Sequence, residues 1–342
     1  MTTTSARRPP VRTPVRRYLS WVLRLWAVVL AFVAVAIFRS RQVGVPFRDP
    51  GGEYFSGRVG LTLAAFGGFV LLDAVLRSRR LEARSLLHTL RSRWSRPRLA
   101  AAGLALLAYD VTYFSYHNLK SWDAFNAPRD DLLRSWDRWL FAGHTPAVLL
   151  HHLLGTGVSA HVVMLWYSSF ALLAILAFPA AVALSNRTRD AFVAIASLVW
   201  VWILGTATYY LIPSLGPFAS SPQDFRSLPA MSVQKTQATY LAERAQLLAH
   251  PATHGAWAQV SAFASLHVAV TATILGIAWW NRLRRTTIAL GVFLAGTMVA
   301  TVYLGWHFAV DLPAGLAIAA LASVLGPLTI GVRRRPAVPS GA

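Results

Sequence analysis

Residues 191–212 read AFVAIASLVWVWILGTATYYLI, twenty-two residues without a charge. A helix of that length rises roughly 33 Å, enough to cross a hydrocarbon core of about 30 Å. Directly behind it stands Pro213-Ser214-Leu215-Gly216-Pro217. Two prolines and a glycine stop a helix there and free its backbone to line a pocket. Scanning outward for similar runs gives seven more: Tyr18–Phe38, Val59–Leu76, Leu99–Tyr116, Ser159–Leu184, Ala262–Trp280, Thr286–Leu304 and His307–Ile330. A lipid-exposed backbone must satisfy its own hydrogen bonds, so each is expected to be a helix. The patch Pro146–Leu154 is too short to span and is expected to lie in the interface or re-enter. The expected fold is an all-α polytopic bundle of about 8 transmembrane helices.

Composition agrees. Of 342 residues, 55% are hydrophobic and 13% charged, and the mean hydropathy is +0.47. A charged share near half the globular norm of roughly 25% fits a membrane protein. Apolar content this high excludes disorder for most of the chain. With Cys at 0, disulfides, zinc–thiolate sites and thiol nucleophiles are excluded.

The net charge of +20 raises nucleic-acid binding, but the placement of the charges argues for a bilayer instead. Taken alternately from the N-terminus, one set of connections carries 21 Lys and Arg and the other 11, while eight acidic residues lie in the second set against two in the first. Basic residues stay on the cytoplasmic side and contact anionic lipid heads. Both termini are therefore expected in the cytoplasm of a cell-membrane protein, with no nucleic-acid partner. The first span reads as an uncleaved anchor, because no small-residue cleavage motif follows it.

Ionisable side chains at membrane depth are costly and default to functional hypotheses. Five stand out: Asp73, Asp110, His267, His307 and Asp311. Ser265 and His267 open the sixth span, where a helix N-terminus suits an anionic phosphate. A Ser hydroxyl adds a donor there, and a His adds a proton near neutral pH. His307 and Asp311 are i and i+4, which puts them on one helix face. A carboxylate on one imidazole nitrogen fixes the tautomer and leaves the other nitrogen as nucleophile or base. The third cluster is Tyr209–Pro217. The alternating topology places the end of span five and the starts of spans six and eight on the non-cytoplasmic side, so one outer-face site can gather all three. For Asp73 and Asp110 an interhelical hydrogen bond is as good a reading as function. His151, His152, His250 and His254 read as surface histidines. No His-Glu-x-x-His, paired Asp run or Walker loop is present, so no metal or other cofactor is expected.

At these residues the chain resembles the type-2 phosphatidic acid phosphatase superfamily. More narrowly, it resembles the branch of inositol phosphorylceramide synthases and inositolphosphotransferase-like proteins. Ser265-Leu266-His267 is similar to the second superfamily motif and His307-Phe308-Ala309-Val310-Asp311 to the third. Tyr210-Leu211-Ile212-Pro213-Ser214-Leu215-Gly216-Pro217 resembles the branch's proline–glycine–proline signature, and Asp137–Pro146 its outer-loop segment. The likeness spans about residues 100–330. It implies a six-helix catalytic domain over 99–331, preceded by a basic segment and two additional helices over 1–98 and followed by a basic tail, 332–342.

The resemblance also implies roles. His307 would be the nucleophile of a phospho-histidine intermediate, Asp311 would orient it, and His267 would protonate the leaving oxygen. Ser265 would hold a phosphate oxygen, with Tyr210, Pro213, Gly216 and Lys120 on the substrate side. The first superfamily motif is Lys, six residues, then Arg-Pro, whereas Lys120 here leads to Ala127-Pro128. Ala300-Thr301 stands where a Ser-Arg pair is usual. Two phosphate-binding arginines are thus absent, and the outer-side cations left are Lys120, Arg129, Arg134, Arg138 and Arg226. That pattern agrees with the transferase branch. The implied substrate is a phospholipid or polyprenyl-phosphate-type lipid at the outer leaflet. Its phospho-head group would move to a hydroxyl acceptor such as inositol, a sugar or a lipid. Water as acceptor would make the protein a lipid phosphate phosphatase. A scaffold or transporter is the competing non-catalytic reading. The long connection Pro213–Ser261 is expected to act as a lid, with a short amphipathic helix over 234–250 lying across the site.

Overall fold

The computed structural model describes residues 14–78 and 82–332. The expected basic terminal segments fall largely outside them, as do Arg79 and Arg80. Among the described residues there are helices and no strands. In chain order these are α1 (Pro14–Val43), α2 (Ser56–Arg77), α3 (Ala83–Arg93), α4 (Arg96–Trp122), α5 (Asp130–Leu140), α6 (Pro146–Leu154) and α7 (Val158–Leu184). They continue with α8 (Thr188–Leu211), the four-residue α9 (Pro217–Ser220), α10 (Ser232–Ala249), α11 (Leu266–Trp280), α12 (Arg284–Tyr303) and α13 (Asp311–Ile330). Seven are long and apolar enough to cross a membrane; α11, at 15 residues, is shorter. The protein is a polytopic helical membrane protein.

Helix α8 shows how sequence becomes position. Asp190 in its first turn complements the positive end of the dipole, and Pro213 ends it beyond Leu211. Its apolar window is 72% buried, against 17% for the window containing α2. Helix α8 is therefore the hub, packed by α4, α7, α11 and α13, while α2 sits outside against α7. Van der Waals packing holds such a bundle, so close approach matters. At Gly326 of α13 a Cβ would lie 2.7 Å from the Ser197 nitrogen of α8.

The extra N-terminal helices are keyed in by charge. Arg24, inside the first span, donates through Nη1 to the Ile330 carbonyl at 3.2 Å and caps the end of α13. Asp73 of α2 pairs with Arg77 at 2.8 Å and with Arg93 of α3 at 2.6 Å. Arg93 and Arg98 both donate to the Ser185 carbonyl at the end of α7. Asp110 of α4 faces Arg58 of α2 at 3.5 Å and accepts from the Thr62 hydroxyl at 3.1 Å. Both aspartates thus serve as interhelical ties.

Three sequence expectations need correction. The sixth span begins at Leu266 rather than Ala262, because the amides of Ala262, Phe263 and Ala264 bond to Ser214 O, Ser214 Oγ and Thr208 Oγ1 instead of to a helix. The eighth begins at Asp311 rather than His307. His307 and Asp311 consequently do not share a helix face; His307 lies in the loop that enters α13. His151 is also not a surface residue. It is buried, with Nε2 2.9 Å from the Tyr303 carbonyl, and ties α6 to the end of α12.

Candidate active site

Two carboxylates on one amphipathic helix hold the site loops. Asp130, in the first turn of α5, accepts the amides of Leu215 and Gly216 at 3.0 and 2.8 Å. Asp137, two turns on, accepts those of Ala309 and Val310 at 2.9 Å each. Helix α5 thereby fixes the Pro213–Pro217 turn and the 304–310 loop relative to each other. The loops also touch directly, since Phe218 N donates to Gly305 O at 2.9 Å. Gly216 has φ +97°, and a Cβ there would meet the Trp306 carbonyl oxygen at 2.7 Å, so only glycine fits. Asp137 falls in the outer-loop segment that carries the family resemblance, whereas nothing in the sequence points to Asp130. An acidic residue in a helix first turn, facing a proline–glycine turn far along the chain, has no local signature.

The loops set up a line of three side chains. His267 Nδ1 lies 3.1 Å from His307 Nε2, and His307 Nδ1 lies 3.1 Å from Asp311 Oδ2. The same Oδ2 accepts the Phe308 amide at 3.0 Å, which aims the carboxylate. With His307 Nδ1–H donating to Asp311, Nε2 is left as the unprotonated nitrogen and accepts a hydrogen bond from His267 Nδ1–H. Burial, and then Lys120, push the His307 imidazole down to about 3, so it is neutral at physiological pH. A neutral, oriented imidazole that lines a cavity and has Nε2 as its unprotonated nitrogen is a nucleophile's arrangement.

That cavity has a volume of about 270 Å³, and His267 and His307 both line it. Lys120 is its cation, 5.9 Å from the centre of the Tyr209 ring. Tyr240 of α10 and Trp306 lie in the same wall, and Gln237 of α10 donates to the Leu304 carbonyl at 2.9 Å. Helix α10 is therefore seated on the His307 loop. His307 also borders a narrow cleft lined by Arg134 and Arg138.

The remaining expected residues lie behind the wall. Ser265 is fully buried and its hydroxyl accepts from the Val268 amide as the N-cap of α11. The Tyr210 hydroxyl donates to the Leu119 carbonyl at 2.7 Å; its neighbour Tyr209 faces the cavity instead. Pro213 and Gly216 shape the turn. Sequence reasoning missed Tyr54 and His117, both in the cavity wall. The spacing of His117 three residues before Lys120 on α4 was the available signal.

Comparison with known proteins gives one result. No curated protein and no solved structure matches the chain at a significant level. The profile of the PAP2 superfamily matches residues 131–325, from α5 almost to the end of α13, and takes in His267, His307 and Asp311. With more than half of its length matched, the chain belongs to the PAP2 superfamily and is an enzyme of its phosphatase and phosphotransferase kind.

Proposed function

We propose that the protein is a phosphotransferase that moves a lipid-linked phospho-group to a hydroxyl acceptor through a phosphorylated His307. The carrying observation is the continuous His267–His307–Asp311 line opening on the cavity. In the first step His307 Nε2 forms a bond to phosphorus while the phosphorus–oxygen bond to the lipid breaks. The leaving oxygen takes a proton from His267, which holds it when its imidazole carries both protons. In the second step the acceptor oxygen bonds to phosphorus, the nitrogen–phosphorus bond breaks, and the acceptor proton returns to His267. Asp311 balances the charge on His307 throughout. Such displacement needs positioning and charge more than covalent skill. Lys120 is the cation placed to meet phosphate oxygens, in keeping with the absent arginines.

A cavity of about 270 Å³ has room for an acceptor larger than water, as transfer to a polyol or lipid hydroxyl requires. The catalytic unit takes in α4 as well as the matched region, because Lys120 comes from α4. The site faces outside, with both termini cytoplasmic. The arginine bias supports this, since Arg96 and Arg98 lie at the start of α4, the end opposite Lys120. The test is labelling of the full chain with lipids carrying radioactive head-group phosphorus. An acid-labile protein adduct, lost in His307→Ala, is expected. Equal labelling of wild type and variant, or equal complementation in cells, refutes the mechanism.

A further inference from the structure

Helix α5 has three faces, where a spanning helix or a helix of a soluble domain needs one or two. At about 100° per residue, Asp130, Leu133 and Asp137 fall within about 60° of one another, and these are its buried residues. Leu132, Trp136, Trp139 and Leu140 fall within about 100°, and all are exposed, Trp139 by 81%. Asp131, Ser135 and Arg138 fall within about 60°, and they are exposed and polar. The first face grips the site loops through its two carboxylates. The other two are outward faces of opposite character. That division fits a helix lying along a boundary between acyl chains and water, with tryptophans at the boundary.

Helix α6 reports the depth of that boundary. His151 Nε2 lies 2.9 Å from the Tyr303 carbonyl, and the Tyr303 hydroxyl donates to the Gly155 carbonyl, just beyond α6, at 2.7 Å. Tyr303 is the last residue of α12, which is long and apolar enough to span. Helix α6 therefore lies where a span leaves the bilayer. Its outward residues are Leu149, Leu153 and Leu154, with Leu153 78% exposed. The exposed apolar surface continues along the chain into Val158 and Val162 of α7, another spanning helix. The belt that faces lipid on α7 thus runs on into α6. A water-facing arc beside the apolar one, at the depth where a span ends, selects the leaflet itself as the occupant of that apolar face.

We propose that α5 and α6 form a seat in the outer leaflet, with Leu132, Trp136, Trp139 and Leu153 among the acyl chains and Ser135 and Arg138 among the head groups, and that this seat holds His307 at the depth of lipid phosphates. Asp137 transmits the position, because it accepts the amides of Ala309 and Val310, close behind His307. The seat stands on the faces of α5 and the depth of α6. Its use in presenting His307 to phosphorus rests on the phosphotransfer reading given above. The enzyme consequently favours a phosphate ester held in a bilayer over the same ester free in water.

The chain has no cysteine, so a single introduced one carries a nitroxide at one known place. In the full chain in lipid nanodiscs, Leu132→Cys, Trp139→Cys and Leu153→Cys are compared with Ser135→Cys. Oxygen dissolves among acyl chains, and a nickel chelate stays in water. The ratio of oxygen to nickel contact is expected to be at least threefold higher at the first three positions than at the fourth. Equal ratios place the face in water, and shielding of position 139 from both reagents places a protein partner or a second copy there; either overturns the seat. The second arm divides turnover of dioleoyl phosphatidic acid in the nanodisc by turnover of its dihexanoyl analogue, kept below its micelle concentration. Trp139→Gln with Leu153→Gln is expected to lower this quotient at least fivefold, while Trp139→Phe with Leu153→Met retains it. Both side chains stand clear of the protein, so their replacement leaves its packing in place. A quotient unchanged in the Gln variant overturns the presentation of His307 by the seat. A wild type that forms no phospho-adduct and turns over neither ester refutes the phosphotransfer reading and the presentation with it, and the nitroxide ratios then decide the seat alone.

Discussion

Replacing Asp137 by Ala isolates the contribution of the α5 latch. Its two oxygens accept the amides of Ala309 and Val310, both at 2.9 Å, and the carboxylate is 4% exposed. Alanine leaves two amides without partners in a part-buried loop. At about 1–3 kcal/mol for each stranded donor, the loss is about 2–6 kcal/mol. That strain falls on the loop carrying His307, two residues away from Ala309. The expected result is a lower midpoint of thermal unfolding in detergent and a phosphoryl-transfer rate reduced at least tenfold. Asp137→Asn keeps one acceptor oxygen and sets an NH2 against the second amide, so it is expected to fall between the two. The pH dependence gives an independent reading. Burial raises the Asp137 carboxyl, the two amides pull it back, and Asp311 adds a smaller push, leaving it at about 6. Its folded value exceeds the ordinary 3.8, so the folded protein binds this proton more tightly than the unfolded chain. The stability linked to that proton is fully present below about 3.8 and is lost as pH rises through about 6. Asp137→Asn is expected to remove this slope between those two values. An alanine variant that melts and transfers like wild type would refute the latch.

Gly216→Ala is expected to impair both the turn and the His307 loop, because the new Cβ would press on the Trp306 backbone and the residue would have to keep φ +97°; a wild-type melting curve and rate would count against this. Arg58→Ala leaves Asp110 buried without its ion partner and is expected to destabilise the protein by about 3–5 kcal/mol. Arg58→Met with Asp110→Leu is expected to recover most of that loss, and failure of the pair to recover would place the role of Asp110 elsewhere than in the tie.

Much of the fold was legible because membrane physics acts locally. The uncharged run at 191–212 reports its own burial and its own end at Pro213. The helices overrun the apolar segments, with α1 reaching Val43 where the hydrophobic run stops at Phe38, because arginines and polar residues extend a helix into the interface without adding hydropathy. The starts of α11 and α13 were misread for the opposite reason. Residues 262–265 and 307–310 are apolar enough to continue a helix, but their amides are claimed by Ser214, Thr208 and Asp137 from other elements. Hydropathy cannot register a hydrogen bond made 172 residues away. The same blindness hid Asp130, Tyr54 and His117, whose meaning exists only after the chain has closed.

The misread start of α13 matters for chemistry. Had His307 opened a helix, its imidazole would have been held by a backbone bonded along the helix axis, and the pairing with Asp311 would have come from helical spacing alone. In the folded protein the pairing comes instead from a loop gripped at three points: Asp311 takes the Phe308 amide, Asp137 takes the next two, and Gly305 accepts from Phe218. In the mechanism proposed above His307 accepts and releases a phosphoryl group, which needs a backbone that does not drift between the two steps, since misplacement of about 1 Å can cost a hundredfold in rate. A carboxylate latch from α5 supplies that rigidity without filling the cavity. It also joins the His307 loop to the Pro213–Pro217 turn, because Asp130 and Asp137 belong to one helix. Displacing that helix would move both loops together, so substitutions along α5 should alter acceptor positioning and nucleophile geometry in step.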